Sequence, residues 1–414
     1  MNDSRTIREQ GSYNLARSGK TCHPRLFIAQ LTIALVTLFL FVIVRPAMAG
    51  DAVGAGAMSL KDEIDKIVQP LIESSQSMGI VVGTIRGSQT QVFGYGEVAR
   101  GSGRHPGGET VFEIGSMTKV FTSLLLADMA ENGLVKLEDP VARYLPDSVQ
   151  VPSYNGRQIT LLDLVTHTSG LPRMPSNTTT VRRVLSLNFA RNPYVDYTAE
   201  RLYRFLSSHK LQYRPGSHSE YSNLGVGLLG HALSLAAERQ YEQLVIERVC
   251  QPLGMNDTTI TLSPRLQSRL AQGYMSMEVP LVRRRVLVPM KNWDFDVLAG
   301  CGALRSTAND MLKLLRANLD PSSTTLERAI AMTHVQRYKE SDDQAQGLGW
   351  LMWYWNDLNE WQLWHNGGTW GYSSYMGMFR KRQVAVVVLS NTFSLSAIDL
   401  AGLQIQELLT RQGK

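Results

Sequence analysis

Ser116 and Lys119 stand three residues apart where a β-leaning segment, Val111 to Gly115, gives way to an apolar helical pattern. At a helix N-terminus the free backbone N–H groups and the positive end of the dipole favour a developing negative charge. Lys119 falls on the same helical face as Ser116, so its amine reaches the hydroxyl. A serine attacks only when a neighbouring base takes its proton, and a buried lysine that gives up its own proton is such a base. The bland alternative is a helix-capping serine. Ser-x-x-Lys is common enough that the chain holds a second copy, Ser207 to Lys210, at the end of a polar helix with no strand before it. That copy reads as surface.

Two further groups have chemistry. Tyr221-Ser222-Asn223 follows the turn residues Pro215-Gly216 and precedes an apolar helical run. A tyrosine held near lysines can move a proton between nucleophile and leaving group. Asn223 offers an amide that can hold a substrate amide or point Lys119. An ordinary helix cap is the rival reading, and Tyr354-Trp355-Asn356 is a decoy at a strand end. His365-Asn366-Gly367-Gly368 lies on a C-terminal strand pattern, where the glycines let a substrate backbone lie close to the edge. A backbone N–H near Gly368, paired with that of Ser116, would make an oxyanion hole. A structural strand histidine is the rival, and His105 in a Gly-rich loop is the decoy.

The elements that must position these groups follow in chain order. The patterns predict a helix over 60–73, strands over 79–86 and 91–98 joined by a turn at Gly87-Ser88, and a helix over 117–133. Residues 135–290 read mainly as helices and loops, with helices at 161–165 and near 198–207, 223–238 and 241–249. Ser306 or Thr307 is expected to cap a helix through Met311 to Leu315. Strands are expected over 347–355, 361–366, 372–379 and 384–390, then a helix over 395–410. Strands at both ends around a helical middle predict one sheet built from both chain ends, with an inserted, mainly helical region. The expected division is 1–49 as a targeting segment and 50–414 as the domain, with sheet parts at about 58–116 and 295–414 and a helical region at about 117–294.

Charge and composition narrow the function. Of the net +6, residues 1–49 carry +4, which leaves +2 for the rest, and no basic stripe points to nucleic acid. Residues 26–44 are uncharged and almost wholly apolar, and Ala47-Met48-Ala49 follows as a small-x-small cleavage site. A cleaved signal peptide and a retained membrane anchor both stay open, and either exports the body of the protein. Cys250 and Cys301 could pair in an oxidising compartment, or both be free buried thiols. There is no Gly-x-Ser-x-Gly elbow, no His-Glu-x-x-His and no paired Cys-x-x-Cys, so neither an α/β-hydrolase nor a metal site has support. Gly225-x-Gly227-x-x-Gly230 lacks a preceding apolar strand and reads as close helix packing, not a dinucleotide loop. His167 reads as a structural turn residue. Six of the seven tryptophans fall between Trp350 and Trp370. They read mainly as sheet core, with an aromatic substrate wall as the minority reading.

Taken in order, Ser116-x-x-Lys119, Tyr221-x-Asn223 and His365-x-Gly367 resemble the three signatures of the serine β-lactamase and penicillin-binding-protein superfamily. The Tyr-x-Asn form is similar to class C β-lactamases and their D-Ala-D-Ala carboxypeptidase relatives. The resemblance spans nearly all of 60–410. It includes Leu164 to Pro172, Pro252 to Met255 and Gly302 to Thr307, while Val151 to Gly156 resembles the peptidoglycan-processing branch. It implies an antiparallel sheet flanked by helices and an acyl-enzyme mechanism without a cofactor. The substrate it implies is a cell-wall peptide ending in D-Ala-D-Ala or a β-lactam, with an esterase or a true β-lactamase as alternatives. A non-catalytic binder of penicillin or muropeptides is the remaining one, and retention of Ser116, Lys119 and Tyr221 argues against it. No Ser-Asp-Asn is present, nor a clear counterpart of the class A deacylation glutamate. One departure stands out: the third motif usually begins with lysine, and here it is His365. Histidine titrates near neutrality, so activity toward a carboxylate-bearing substrate is expected to fall as pH rises through the titration of His365.

Overall fold

The computed structural model describes residues 58–178, 192–279 and 284–411. The apolar run at 26–44 and the Ala-x-Ala site lie outside them. Among the described residues no helix is long and apolar enough to cross a membrane. Chain entry is set by a capping box: Ser59 and Asp62 satisfy each other's backbone donors at the start of α1 (Leu60–Glu73).

One eight-stranded antiparallel sheet organises the fold. Strands β1 (Gly79–Arg86) and β2 (Gln89–Gly96) come from the N-terminal part. The C-terminal part supplies β9 (Tyr338–Lys339), β10 (Gln344–Gln346), β11 (Leu351–Trp355), β12 (Glu360–Thr369), β13 (Tyr372–Phe379) and β14 (Val384–Ser390). The order is β2-β1-β14-β13-β12-β11-β10-β9, so the first and last long strands pair with each other, one strand in from the β2 edge. Both β1 and β14 are buried along nearly their whole length, and their runs GIVVGTIR and VAVVVLS are accordingly apolar on both faces. Alternation then sorts side chains. Ile80, Val82, Val386 and Val388 face α1 and α10 (Leu395–Arg411), while Val81, Ile85, Val387 and Leu389 face the larger core.

Between the sheet halves lie α2 (Thr118–Glu131), α3 (Leu161–Val165), α4 (Ala199–Ser208), α5 (Asn223–Ala236), α6 (Tyr241–Val245), α7 (Pro264–Gln267), α8 (Ala308–Leu319) and α9 (Glu327–Thr333). Thr307 caps α8, accepting from the Asp310 N–H, as its sequence suggested. Small sheets interrupt this region: the hairpin β4 (Ser153–Tyr154) with β5 (Arg157–Gln158), and the pair β6 (Tyr274–Val279) and β7 (Arg284–Pro289) with β15 (Thr392–Phe393). The β6–β7 hairpin corrects the expectation of helices and loops up to residue 290. Only Leu287 of β7 is buried, so this strand carries almost none of the alternation that marks one in a sequence.

Close helix packing accounts for the Gly-x-Gly-x-x-Gly run. A Cβ on Gly230 would lie 2.9 Å from the Cα of Gly300, and one on Gly227 2.7 Å from Leu298. Cys250 and Cys301 are both buried and both free, which decides against the disulfide.

Candidate active site

The short strand β3 (Val111–Glu113) pairs antiparallel with β8 (Arg305–Thr307) and delivers the chain to Ser116. Behind it, Arg305 and Glu113 form a buried ion pair at 3.3 Å, and Glu113 also accepts from the Trp293 N–H at 2.9 Å. Burial raises the Glu113 pKa, and Arg305 opposes that rise. Ser116 itself lies in a single 3₁₀ turn, Gly115–Met117, that runs directly into α2. No side chain caps this turn, so the capping reading of Ser116 falls away.

Lys119 is the hub. It is buried, and its Nζ lies 3.0 Å from Ser116 Oγ, 2.9 Å from Asn223 Oδ1 and 2.7 Å from the Cys301 carbonyl oxygen. These three acceptors use all three N–H bonds of an ammonium. A neutral amine would keep two of them for Asn223 and Cys301 and turn its lone pair toward Ser116. Asn223 therefore points the lysine, one of its two expected roles. Its Nδ2 donates to the Tyr194 hydroxyl at 2.7 Å.

Tyr221 precedes α5, whose N-cap is Ser222, accepting from the Gly225 N–H at 2.8 Å. The cap reading thus belongs to Ser222 and leaves Tyr221 and Asn223 on either side of it. The Tyr221 ring sits 4.9 Å from Lys119 Nζ and 5.1 Å from the Arg173 guanidinium carbon. Its basic neighbours are thus one lysine and one arginine, not two lysines. The His167 ring packs 4.4 Å away. His167 has positive φ and its Nδ1 accepts from the Ser222 N–H, in keeping with the structural reading.

On β12, Gly367 and Gly368 lie directly against the serine turn. A Cβ on Gly367 would fall 2.0 Å from the Ile114 oxygen and 2.7 Å from the Ser116 nitrogen. One on Gly115, at φ +54°, would fall 2.5 Å from the Gly368 nitrogen. Ser374 Oγ on β13 ties the same turn by donating to the Ile114 oxygen. His365 is 1% exposed, and its ring centroid lies 6.4 Å from that of Tyr221. Burial first, then the nearby Lys119 charge, pull its pKa down to about 3. Its Nδ1 faces the Asn366 carbonyl at 2.6 Å. A carbonyl only accepts, so the proton is on Nδ1 and Nε2 is an acceptor. This overturns the expectation that His365 titrates near neutrality: it is a neutral imidazole throughout the ordinary range.

The decoys separate by position. Ser207 is exposed and accepts from the Gln150 N–H, Tyr354 donates to Asn359 on its own hairpin, and His105 is exposed beside the Gly96 carbonyl. Among the tryptophans, Trp350 is buried in the core, and Trp353, Trp355, Trp361 and Trp364 make ring contacts on the sheet. Only Trp370 meets the aromatic group near Asn223, through Trp293, which with Phe295 packs on Tyr194. Sequence reasoning did not find Tyr194, Arg173 or the Cys301 carbonyl. Arg173 directly follows the Gly170-Leu171-Pro172 turn, and that adjacency was the available signal. Tyr194 and a backbone carbonyl carry no local signal at all.

The chain belongs to the Beta-lactamase family, whose model matches residues 64–408, and it is a serine hydrolase of that family. Among its relatives is the D-alanyl-D-alanine-carboxypeptidase/endopeptidase AmpH of Escherichia coli (strain K12), 31% identical over 363 residues, covering 84% of this chain and 88% of that protein. A β-lactamase of Pseudomonas fluorescens is 29% identical over 298 residues, 72% of this chain and 75% of that one. The crystal structure of a β-lactamase/D-alanine carboxypeptidase from Yersinia pestis, complexed with citrate, superposes with a TM-score of 0.71 at 25% identity, over 86% of this chain and 99% of that one.

Proposed function

We propose that this chain is a D-Ala-D-Ala carboxypeptidase/endopeptidase of cell-wall peptides, acting through an acyl-enzyme on Ser116. The observation that carries the reading is the Lys119 hub, with one amine shared by Ser116 Oγ, Asn223 Oδ1 and the Cys301 carbonyl. Lys119, with Tyr221, takes the proton of Ser116 as Oγ attacks the peptide carbonyl. The N–H groups of Ser116 and Gly368 hold the oxyanion, and the close approach of Gly115 to Gly368 supports that pairing. Tyr221 protonates the leaving nitrogen, the C–N bond breaks, and the acyl group stays on Ser116. Water then attacks the ester carbonyl as Tyr221 takes its proton, the bond from the acyl carbon to Ser116 Oγ breaks, Lys119 returns a proton to Oγ, and the acid product leaves. Such a substrate lies outside the cytoplasmic membrane, so this reading carries with it export of the domain, with 26–44 as signal or anchor.

A second reading is an esterase or a β-lactamase on the same site, and the neutral His365 favours the esterase, because it supplies no cation for a substrate carboxylate. Three assays separate these: release of D-Ala from a D-Ala-D-Ala peptide, hydrolysis of a short ester and hydrolysis of a chromogenic cephalosporin. Fluorescent penicillin is expected to label the protein on Ser116, and Ser116→Ala to lose both label and D-Ala release by at least about a thousandfold. D-Ala release that survives Ser116→Ala would end this assignment.

A further inference from the structure

The proposed substrate ends in a carboxylate, and the charges around Tyr221 restrict what can receive it. His365 stands where the superfamily's third motif carries a lysine, and its Nε2 is an acceptor that repels an anion. Lys119 is charged or neutral according to the stage of the reaction. As an ammonium its three donors are already taken by Ser116, Asn223 and Cys301. Neither group is open to a carboxylate.

Arg173 is. It is exposed, and its guanidinium carbon lies over the Tyr221 ring, 5.1 Å from the centroid. No carboxylate among the described residues forms an ion pair with it. Its guanidinium instead sits over the Tyr221 ring, as the planar, delocalised cation of an arginine readily does. Its backbone is tied to the second motif. The Arg173 carbonyl accepts from the N–H groups of Asn223 at 3.1 Å and Leu224 at 3.2 Å, and Ser222 Oγ donates to the Pro172 carbonyl at 2.8 Å. The segment that places Tyr221 therefore also places Arg173. Its charge reaches inward as well, adding to burial and the Lys119 charge in holding down the pKa of His167.

We propose that Arg173 recognises the terminal carboxylate of the substrate, replacing the positive charge that His365 does not supply. The carboxylate is attached one Cα beyond the leaving nitrogen, and that nitrogen must meet Tyr221 to be protonated. A fork of N–H donors beside the Tyr221 ring suits both demands and can bind the carboxylate in bidentate fashion. Specificity for a free C-terminus then arises from a residue outside all three motifs.

The inference rests on the acyl-enzyme reading, and its test is a ratio within one enzyme. Two pairs of substrates are compared: a D-Ala-D-Ala peptide with its C-terminal amide, and a short activated ester bearing a carboxylate with its neutral counterpart. In Arg173→Gln the preference for the charged member, as a ratio of kcat/KM values, is expected to fall by roughly tenfold to a hundredfold. Arg173→Lys is expected to restore part of it, and the loss is expected mainly in KM. An unchanged ratio in Arg173→Gln overturns the proposal, even if both rates drop together. If the wild type cleaves the esters but no D-Ala-D-Ala peptide, the carboxypeptidase reading fails, while the ester pair still decides the role of Arg173.

Discussion

At the residue scale, His365 is where sequence and structure part most sharply. A free histidine would gain charge on acidification near pH 6.5, but this one is enclosed by the sheet and faces a lysine. The folded state therefore holds it neutral down to about pH 3. The kcat/KM for a carboxylate-bearing substrate is accordingly expected to show no downward inflection attributable to His365 between about pH 5 and 8. The check is a pH profile of the wild type beside His365→Gln. A step near pH 6.5 present only in the wild type would mean the ring is charged and accessible. Lys119 teaches the complementary lesson. Its spacing from Ser116 was readable, but the acceptors that fix its amine come from 104 and 182 residues away.

At the element scale, the candidate site depends on two backbones meeting with no side chains between them. The turn at Gly115 and strand β12 at Gly367 approach so closely that a methyl group on either collides with main-chain atoms. Gly115 also adopts positive φ, where a Cβ adds strain. Gly367→Ala is expected to push β12 off the serine turn, to destabilise the fold by about 2 kcal/mol or more, and to cut penicillin acylation at least about tenfold. Urea unfolding and acylation kinetics measure the two effects separately. An alanine variant with unaltered acylation would show that the Ser116–Gly368 spacing does not matter. The element pattern itself was largely legible. The long strands and helices carried clear periodicity, and Thr307 capped its helix as expected. The three-residue β3 and β8 were not legible as a pair, because segments so short lack a period and exist through pairing with each other.

At the scale of the whole molecule, burial of ionisable groups links stability to pH. The pKa of His334, enclosed beside Asn318 and Trp350, is held down to about 3 by burial first and by Arg380 second. A histidine whose folded pKa lies below its unfolded value contributes stability that is full above pH 6.5 and is lost as pH falls toward 3. His167 and His365 act in the same direction. Buried carboxyls oppose them. Asp399, raised to about 7 by burial, and Glu113 bind protons more readily folded than unfolded, so they gain stability on acidification. The net slope is a contest, but a single group can be isolated. Replacing His334 by Gln is expected to make the loss of stability between pH 6 and 4 shallower by up to about 1.4 kcal/mol per pH unit. Urea unfolding at a series of pH values tests this, and coincident slopes for wild type and variant would mean that His334 is not buried as a neutral ring.

The sequence by itself determined the chemistry on offer and the order in which it comes. Ser116, Lys119, Tyr221, Asn223 and His365 stood out as candidates from type, spacing and flanking pattern, and a sheet drawn from both ends of the chain was expected and found. Those features are local, or repeat with the period of a strand or helix, and so they leave a trace along the chain. The tertiary structure decided what depends on contacts between distant segments. It left Cys250 and Cys301 apart, assigned Asn223 to the lysine, kept His365 neutral, and set Arg173, without an acidic partner among the described residues, beside Tyr221. Charge state and partnership depend on the surroundings of a group, and those surroundings form only when the chain folds.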